Sequence, residues 1–151
     1  MSSGRVYRFA PTPERDAKHL FVFLHGCGAT AQSMIPIAFK FQARFPSAAL
    51  VVPSGFDPDA HGGAAQDWYP TRGLNCDNHR ERVACVLPDL EDLVRREQTN
   101  FGVTASRTVL IGFSQGGTMA LEAVKTPELA GAVVAFSTRF ARLPARGAVN
   151  P

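Results

Sequence analysis

The amino-acid sequence predicts an α/β fold, a mostly parallel sheet with helices on both faces. Three observations carry that expectation. Strand-like and helical segments alternate along the chain, as a parallel sheet with crossover helices requires. The strand candidates are unbroken apolar runs such as Leu20-Phe21-Val22-Phe23-Leu24, the mark of strands buried on both faces. The string Gly112-Phe113-Ser114-Gln115-Gly116 stands where one such run gives way to a helical pattern.

Taken in order, residues 6–9 read as an edge strand and residues 19–25 as the first buried strand, closed by Gly26. A helix follows, with Ser33 as its expected N-cap and Met34, Ile37, Ala38, Phe41 and Phe45 on one face. Pro36 is tolerable in that first turn, where its missing amide has no internal partner. Residues 48–52 form a second buried strand, stopped by Pro53. Residues 54–77 make a long loop rich in Gly and Pro, of a length that is usually functional or disordered. A helical pattern resumes at Asn78 with Val83, Val86, Leu87, Leu90, Leu93 and Val94 on one side, and Pro88 predicts a kink or two abutting segments. Residues 108–112 are a third strand, 117–125 a helix and 131–137 a fourth strand.

The 151 residues, 45% apolar and 19% charged, fit one domain spanning 1–151 that needs no metal or disulfide framework. No apolar run approaches the ~18 residues of a membrane span, and no apolar stretch follows the first methionine, so a cytoplasmic address is expected. The formal charge of +3 comes entirely from Arg139, Arg142 and Arg146, because the preceding residues balance. Three tail arginines make no basic face, which argues against nucleic acid. Cys27, Cys76 and Cys85 are odd in number and read as reduced thiols. Cys76, His79 and Cys85 lack a second ligand pair, and the stretch around Cys85 reads as an apolar helix face, so no metal is expected.

The Gly-x-Ser-x-Gly string in this strand-to-helix setting has the form of a nucleophile elbow, which lifts a serine hydroxyl above the sheet edge. Its glycines are needed where side chains would collide with the neighbouring strand and helix. The alternative is a glycine-rich turn with no chemistry. His25-Gly26-Cys27-Gly28, after the first buried strand, supplies backbone N–H groups suited to an oxyanion hole. The expected donors are the amides of Cys27 and Gln115, with Ser114 as nucleophile. Cys27 as the nucleophile is the weaker reading, since no flanking cation or ordered base accompanies it.

Leu24-His25-Gly26-Cys27-Gly28, Phe45-Pro46, Val51-Val52-Pro53, Trp68-Tyr69 and the run from Gly112 to Leu121 together resemble the carboxylesterase/phospholipase family of α/β-hydrolases, which includes acyl-protein thioesterases. Asp77-Asn78-His79-Arg80 and Phe136-Ser137-Thr138-Arg139-Phe140 are similar to its bacterial serine-esterase branch. The resemblance runs from about Phe21 to Arg146. It implies an α/β-hydrolase fold and hydrolysis of short- to medium-chain acyl esters or thioesters without a cofactor. It also implies substrate contacts at Trp68 and Gly26, with Trp68 lining the acyl pocket. A structural role for Trp68, pinning the long loop, stays open beside that one.

A serine nucleophile needs a base and a group to orient it, and in this fold both follow the serine. After Ser114 there is no His and no Asp, and the only acids are Glu122 and Glu128. His19, His25, His61 and His79 all precede it. His25 reads as structural, while His61 and His79 flank the long loop. The expectation is a truncated chain lacking the last two strand–helix units, about 30 residues each. The alternative is a non-catalytic remnant acting as a binding or assembly module. On either view the uncharged 131–137 strand would be a bare edge, predicting a homodimer through it.

Overall fold

Five strands join in one mixed sheet in the computed structural model, which describes residues 4–11, 16–57 and 65–145. They are β1 (Val6–Phe9), β2 (His19–Leu24), β3 (Ala48–Pro53), β4 (Thr108–Phe113) and β5 (Ala132–Phe136), in spatial order β1-β3-β2-β4-β5. β1 lies antiparallel on β3, and every other pairing is parallel. The registers set Leu24 beside Gly112 and Phe113 beside Phe136, so β2, β4 and β5 deliver their C-terminal ends to one rim. In an open α/β sheet that rim is where ligands bind.

The apolar runs are unbroken because the sheet is covered on both sides. Leu20, Val22 and Leu24 of β2 join Val51, Leu110 and Met119 in a core under α2 (His79–Phe101) and α3 (Gln115–Ala123). Phe21 and Phe23 turn the other way, with Leu50, Val52, Ile111 and Ala38, beneath α1 (Ile35–Arg44). A bidentate bond from Arg8 to Glu97 (2.7 and 2.8 Å) ties β1 to α2 across the first core. Among the described residues no helix is long and apolar enough to cross a membrane.

Several local expectations change. Ser33 is not an N-cap: it lies in a 3-10 turn, Ala31–Met34, and its hydroxyl donates to Thr30 O at 2.6 Å. On α1 only Ala38 and Gln42 are buried, while Ile37 and Phe45 are exposed. Pro88 does not divide α2, which runs unbroken for 23 residues to a left-handed Gly102. Cys85 faces solvent rather than the core, as do Cys27 and Cys76. α3 starts at Gln115, two residues before the helix expected from sequence, because the elbow is a single residue.

Candidate active site

Ser114 alone separates β4 from α3, with backbone angles φ 51 and ψ −116. Such angles cost a non-glycine residue about 1–3 kcal/mol and persist only when the surroundings enforce them. Here the Ser114 N–H donates to Phe136 O (2.9 Å), and its carbonyl accepts from Thr118 N–H (3.0 Å) and Thr138 Oγ1 (2.7 Å). The flanking glycines are sterically required. A Cβ on Gly112 would lie 2.4 Å from Gly116 O, and one on Gly116 would lie 2.4 Å from both Leu24 O and His25 O. The turn therefore packs backbone on backbone against β2, with the α3 N-terminus at the serine. That helix end favours developing negative charge.

The loop after β2 is held as tightly. His25 is fully buried; Gly55 N–H donates to its Nε2 at 3.0 Å, so Nδ1 carries the proton and donates to Gly26 O at 2.9 Å. Burial pushes its pKa below the ordinary histidine value, and with both nitrogens engaged it is a neutral structural post. Asp67, also fully buried, accepts the Gly28 N–H at 2.8 Å and receives Cys27 Sγ at 3.3 Å and Thr71 Oγ1 at 3.2 Å. Gln115 clamps the same segment from the helix, accepting Trp68 N–H at 2.8 Å and donating to Tyr69 O at 2.9 Å. Gly26 abuts the elbow: a Cβ there would lie 3.1 Å from the Phe113 ring and 3.5 Å from Ser114 Cβ.

Trp68 does not line the pocket. It is completely buried, donates Nε1–H to His25 O at 2.8 Å, and packs its ring on His25 and Phe56. The structural reading of this residue is the one observed, and its neighbour Tyr69 faces the cavity instead. That cavity, about 660 Å³, is open to solvent and holds Ser114, Cys27, Gln115, Tyr69, His79 and Arg139 on one surface. Burial and the neighbouring Asp67 raise the Cys27 thiol above its ordinary pKa, which works against a thiolate nucleophile. Tyr69 OH and His79 Nε2 lie 2.8 Å apart. Burial pushes the tyrosine up to about 12, while burial and then Arg139 lower His79, so both are neutral near pH 7.

Glu122 is committed elsewhere, accepting Ala141 N–H and Arg142 N–H at 2.8 and 3.1 Å and Lys125 Nζ at 2.7 Å. It pins the segment after β5 and does not orient a base. His61 lies outside the described residues. Among the described residues no group of three His, Cys, Asp or Glu side chains is placed to hold a metal ion. Sequence reasoning missed Tyr69, Thr118, Thr138 and Arg139. The rule that α/β sites gather beyond strand C-termini would have pointed to Thr138 and Arg139, which follow β5 directly.

Residues 8–147 match the model of the phospholipase/carboxylesterase family. The chain is 38% identical to esterase YpfH of Escherichia coli K12 over 134 residues, covering 88% of this chain and 57% of that protein. It is 31% identical to acyl-protein thioesterase 1 of Cryptococcus neoformans over 126 residues, covering 78% of this chain and 52% of that one. The fold superposes on the crystal structure of esterase PE8 with a TM-score of 0.80 and 26% identity, over 92% of this chain and 65% of the other. The chain thus spans little more than half the length of these two sequence relatives.

Proposed function

The chain belongs to the phospholipase/carboxylesterase family, and from that membership we propose that it is a serine hydrolase domain for short- to medium-chain acyl esters or thioesters. The single observation that carries this reading is Ser114, held at φ 51 between β4 and α3 and facing a cavity it shares with Cys27 and Gln115. In the proposed step the Ser114 hydroxyl oxygen bonds to the ester carbonyl carbon while its proton passes to a base. The tetrahedral oxyanion accepts from the amides of Cys27 and Gln115. Collapse expels the alcohol or thiol with a proton and leaves an acyl-serine. Water then cleaves that acyl-serine, releasing the carboxylic acid and restoring the hydroxyl. Residues 1–151 act as one domain, and no cofactor takes part.

A second reading is a hydrolase-derived binding or assembly module, in which the cavity around Ser114, Tyr69 and Arg139 serves binding alone. Both readings include a homodimer through residues 131–137, supported by the position of β5 at the sheet edge.

Hydrolysis of 4-nitrophenyl butyrate by the 151-residue chain separates the two. Lacking the base costs a serine hydrolase about a million-fold in turnover, so the expected rate is a weak residue above background. Ser114→Ala removes it, and Cys27→Ala does not. A rate that survives Ser114→Ala overturns the nucleophile assignment. No rate above that of Ser114→Ala favours the binding module. A rate typical of complete esterases makes His79, on the cavity wall, the base to replace next.

A further inference from the structure

The cavity beside Ser114 has an uneven chemistry. Leu74, Tyr69 and the His79 ring give it apolar surface on one part, while Thr71, Thr118, Ser137 and Thr138 add hydroxyls on another. Among the described residues no carboxylate lines the cavity. Asp67 is fully buried and spends its oxygens on Gly28, Cys27 and Thr71. Glu122 is held by Ala141, Arg142 and Lys125.

Arg139 is therefore a cation at the site with no ion-pair partner among the described residues. Its backbone is fastened to the elbow. Thr118 Oγ1 donates to Arg139 O at 3.0 Å, the adjacent Thr138 donates to Ser114 O at 2.7 Å, and Phe136 O receives the Ser114 N–H at 2.9 Å. Three hydrogen bonds thus fix where this guanidinium departs from the chain relative to the serine. A planar fork of donors in that position suits a carboxylate.

We infer that Arg139 is a specificity-determining residue that adapts the cavity to esters carrying a carboxylate, such as monoesters of short dicarboxylic acids, with the guanidinium holding the carboxylate while the ester carbonyl lies at Ser114. The inference rests on the ester-hydrolase reading for the identity of the reacting bond, but not for the anion preference itself. Arg139 is exposed, so the preference is modest, about three- to tenfold, and weakens with salt.

The test is equilibrium binding of two unreactive amides of similar shape, succinamate and the uncharged 4-oxopentanamide, to the 151-residue protein by calorimetry or NMR titration. Succinamate is expected to bind about three- to tenfold more tightly in low salt. Arg139→Gln should erase that ratio and Arg139→Lys keep part of it, with thermal unfolding checking that both variants fold. Equal affinities in the parent protein, or a preference that persists in Arg139→Gln, overturn the inference. Hydrolysis of 4-nitrophenyl butyrate is measured in parallel and reports on the esterase reading separately. Anion preference without turnover keeps the Arg139 site and removes the esterase, whereas turnover without preference does the reverse.

Discussion

β4 carries the serine between two parallel neighbours, β2 and β5, and the two sides are built differently. On the β2 side the strand core is sealed, and the loop beyond it is tied by Trp68, Asp67 and Gln115 into one hydrogen-bonded block. On the β5 side both end residues of the strand are exposed, Phe136 is 47% exposed, and the segment that follows is held by a few bonds to Thr118 and Glu122. On the proposed hydrolase reading, the contrast separates two tasks. Stabilising an oxyanion asks for rigid backbone donors, the role proposed above for the sealed loop and the helix N-terminus. Moving a proton asks for a base and its partner, and the β5 side shows neither among the described residues.

The sharpest test of this contrast is steric. Adding one methyl at Gly116 drives Cβ to 2.4 Å from two carbonyl oxygens of the β2 end, both backbone atoms that cannot swing aside. Gly116→Ala is expected to cost about 3 kcal/mol or more, at the upper end of overpacking, or to prevent folding. Phe136→Ser on the open side should cost under about 1 kcal/mol, as surface changes do. Urea unfolding of both variants measures the difference. Comparable losses would mean that β5 is as firmly enclosed as β2.

How legible this was in the sequence follows the same division. β2, β4 and the elbow were readable because burial on both faces leaves an apolar run, and because a glycine jammed against backbone admits no substitute. The loop after β2 was readable as a glycine motif for a different reason, a left-handed turn at Gly28 (φ 69) and a close approach of Gly26 to the Phe113 ring. Trp68 misled: an aromatic beside a loop is compatible with lining a pocket or bracing it. Only its indole bond to His25 O and its complete burial decide the matter. Tyr69, His79 and Arg139 were not legible as partners, since sites 69, 79 and 139 meet only through the parallel register and the packing of α2. Pro88 misled differently. A helix of 23 residues packed on the core carries one missing hydrogen bond without dividing.

The second test asks whether the open side finds a partner. β5 presents a row of backbone groups at the sheet edge, bears no charge or proline, and leaves Phe136 and its neighbours partly exposed. Pairing with β5 of a second copy would bury that surface. Light scattering at tens of micromolar is expected to give the dimer mass. Phe136→Lys should weaken association by about tenfold or more, which is about 1.4 kcal/mol. A monodisperse monomer would show that residues after β5 shield the edge, and the dimer would be withdrawn.

The smallest effect expected is an acid sensitivity confined to the sealed side. β5 contains no titratable side chain, whereas His25 lies fully buried under the loop after β2 and His79 sits on the cavity wall. Burial lowers both folded pKa values below 6.5, so the unfolded chain binds protons first as pH falls. Stability from these groups is present above the unfolded value and declines as pH drops below it. A further loss begins below about 4.5. Burial alone would raise Glu97 there, but hydrogen bonds from Arg8 and Asn100 outweigh it and hold the carboxyl low, stabilising the fold only while it stays ionised. The urea midpoint should therefore fall between pH 7 and pH 5.5, with a shallower slope in His79→Gln and a second decline below 4.5 that Arg8→Met diminishes. A midpoint that is level or rising from pH 7 to 5.5 would mean that His25 gains a proton in place, and the neutral post beneath the loop after β2 would have to be redrawn as a cation.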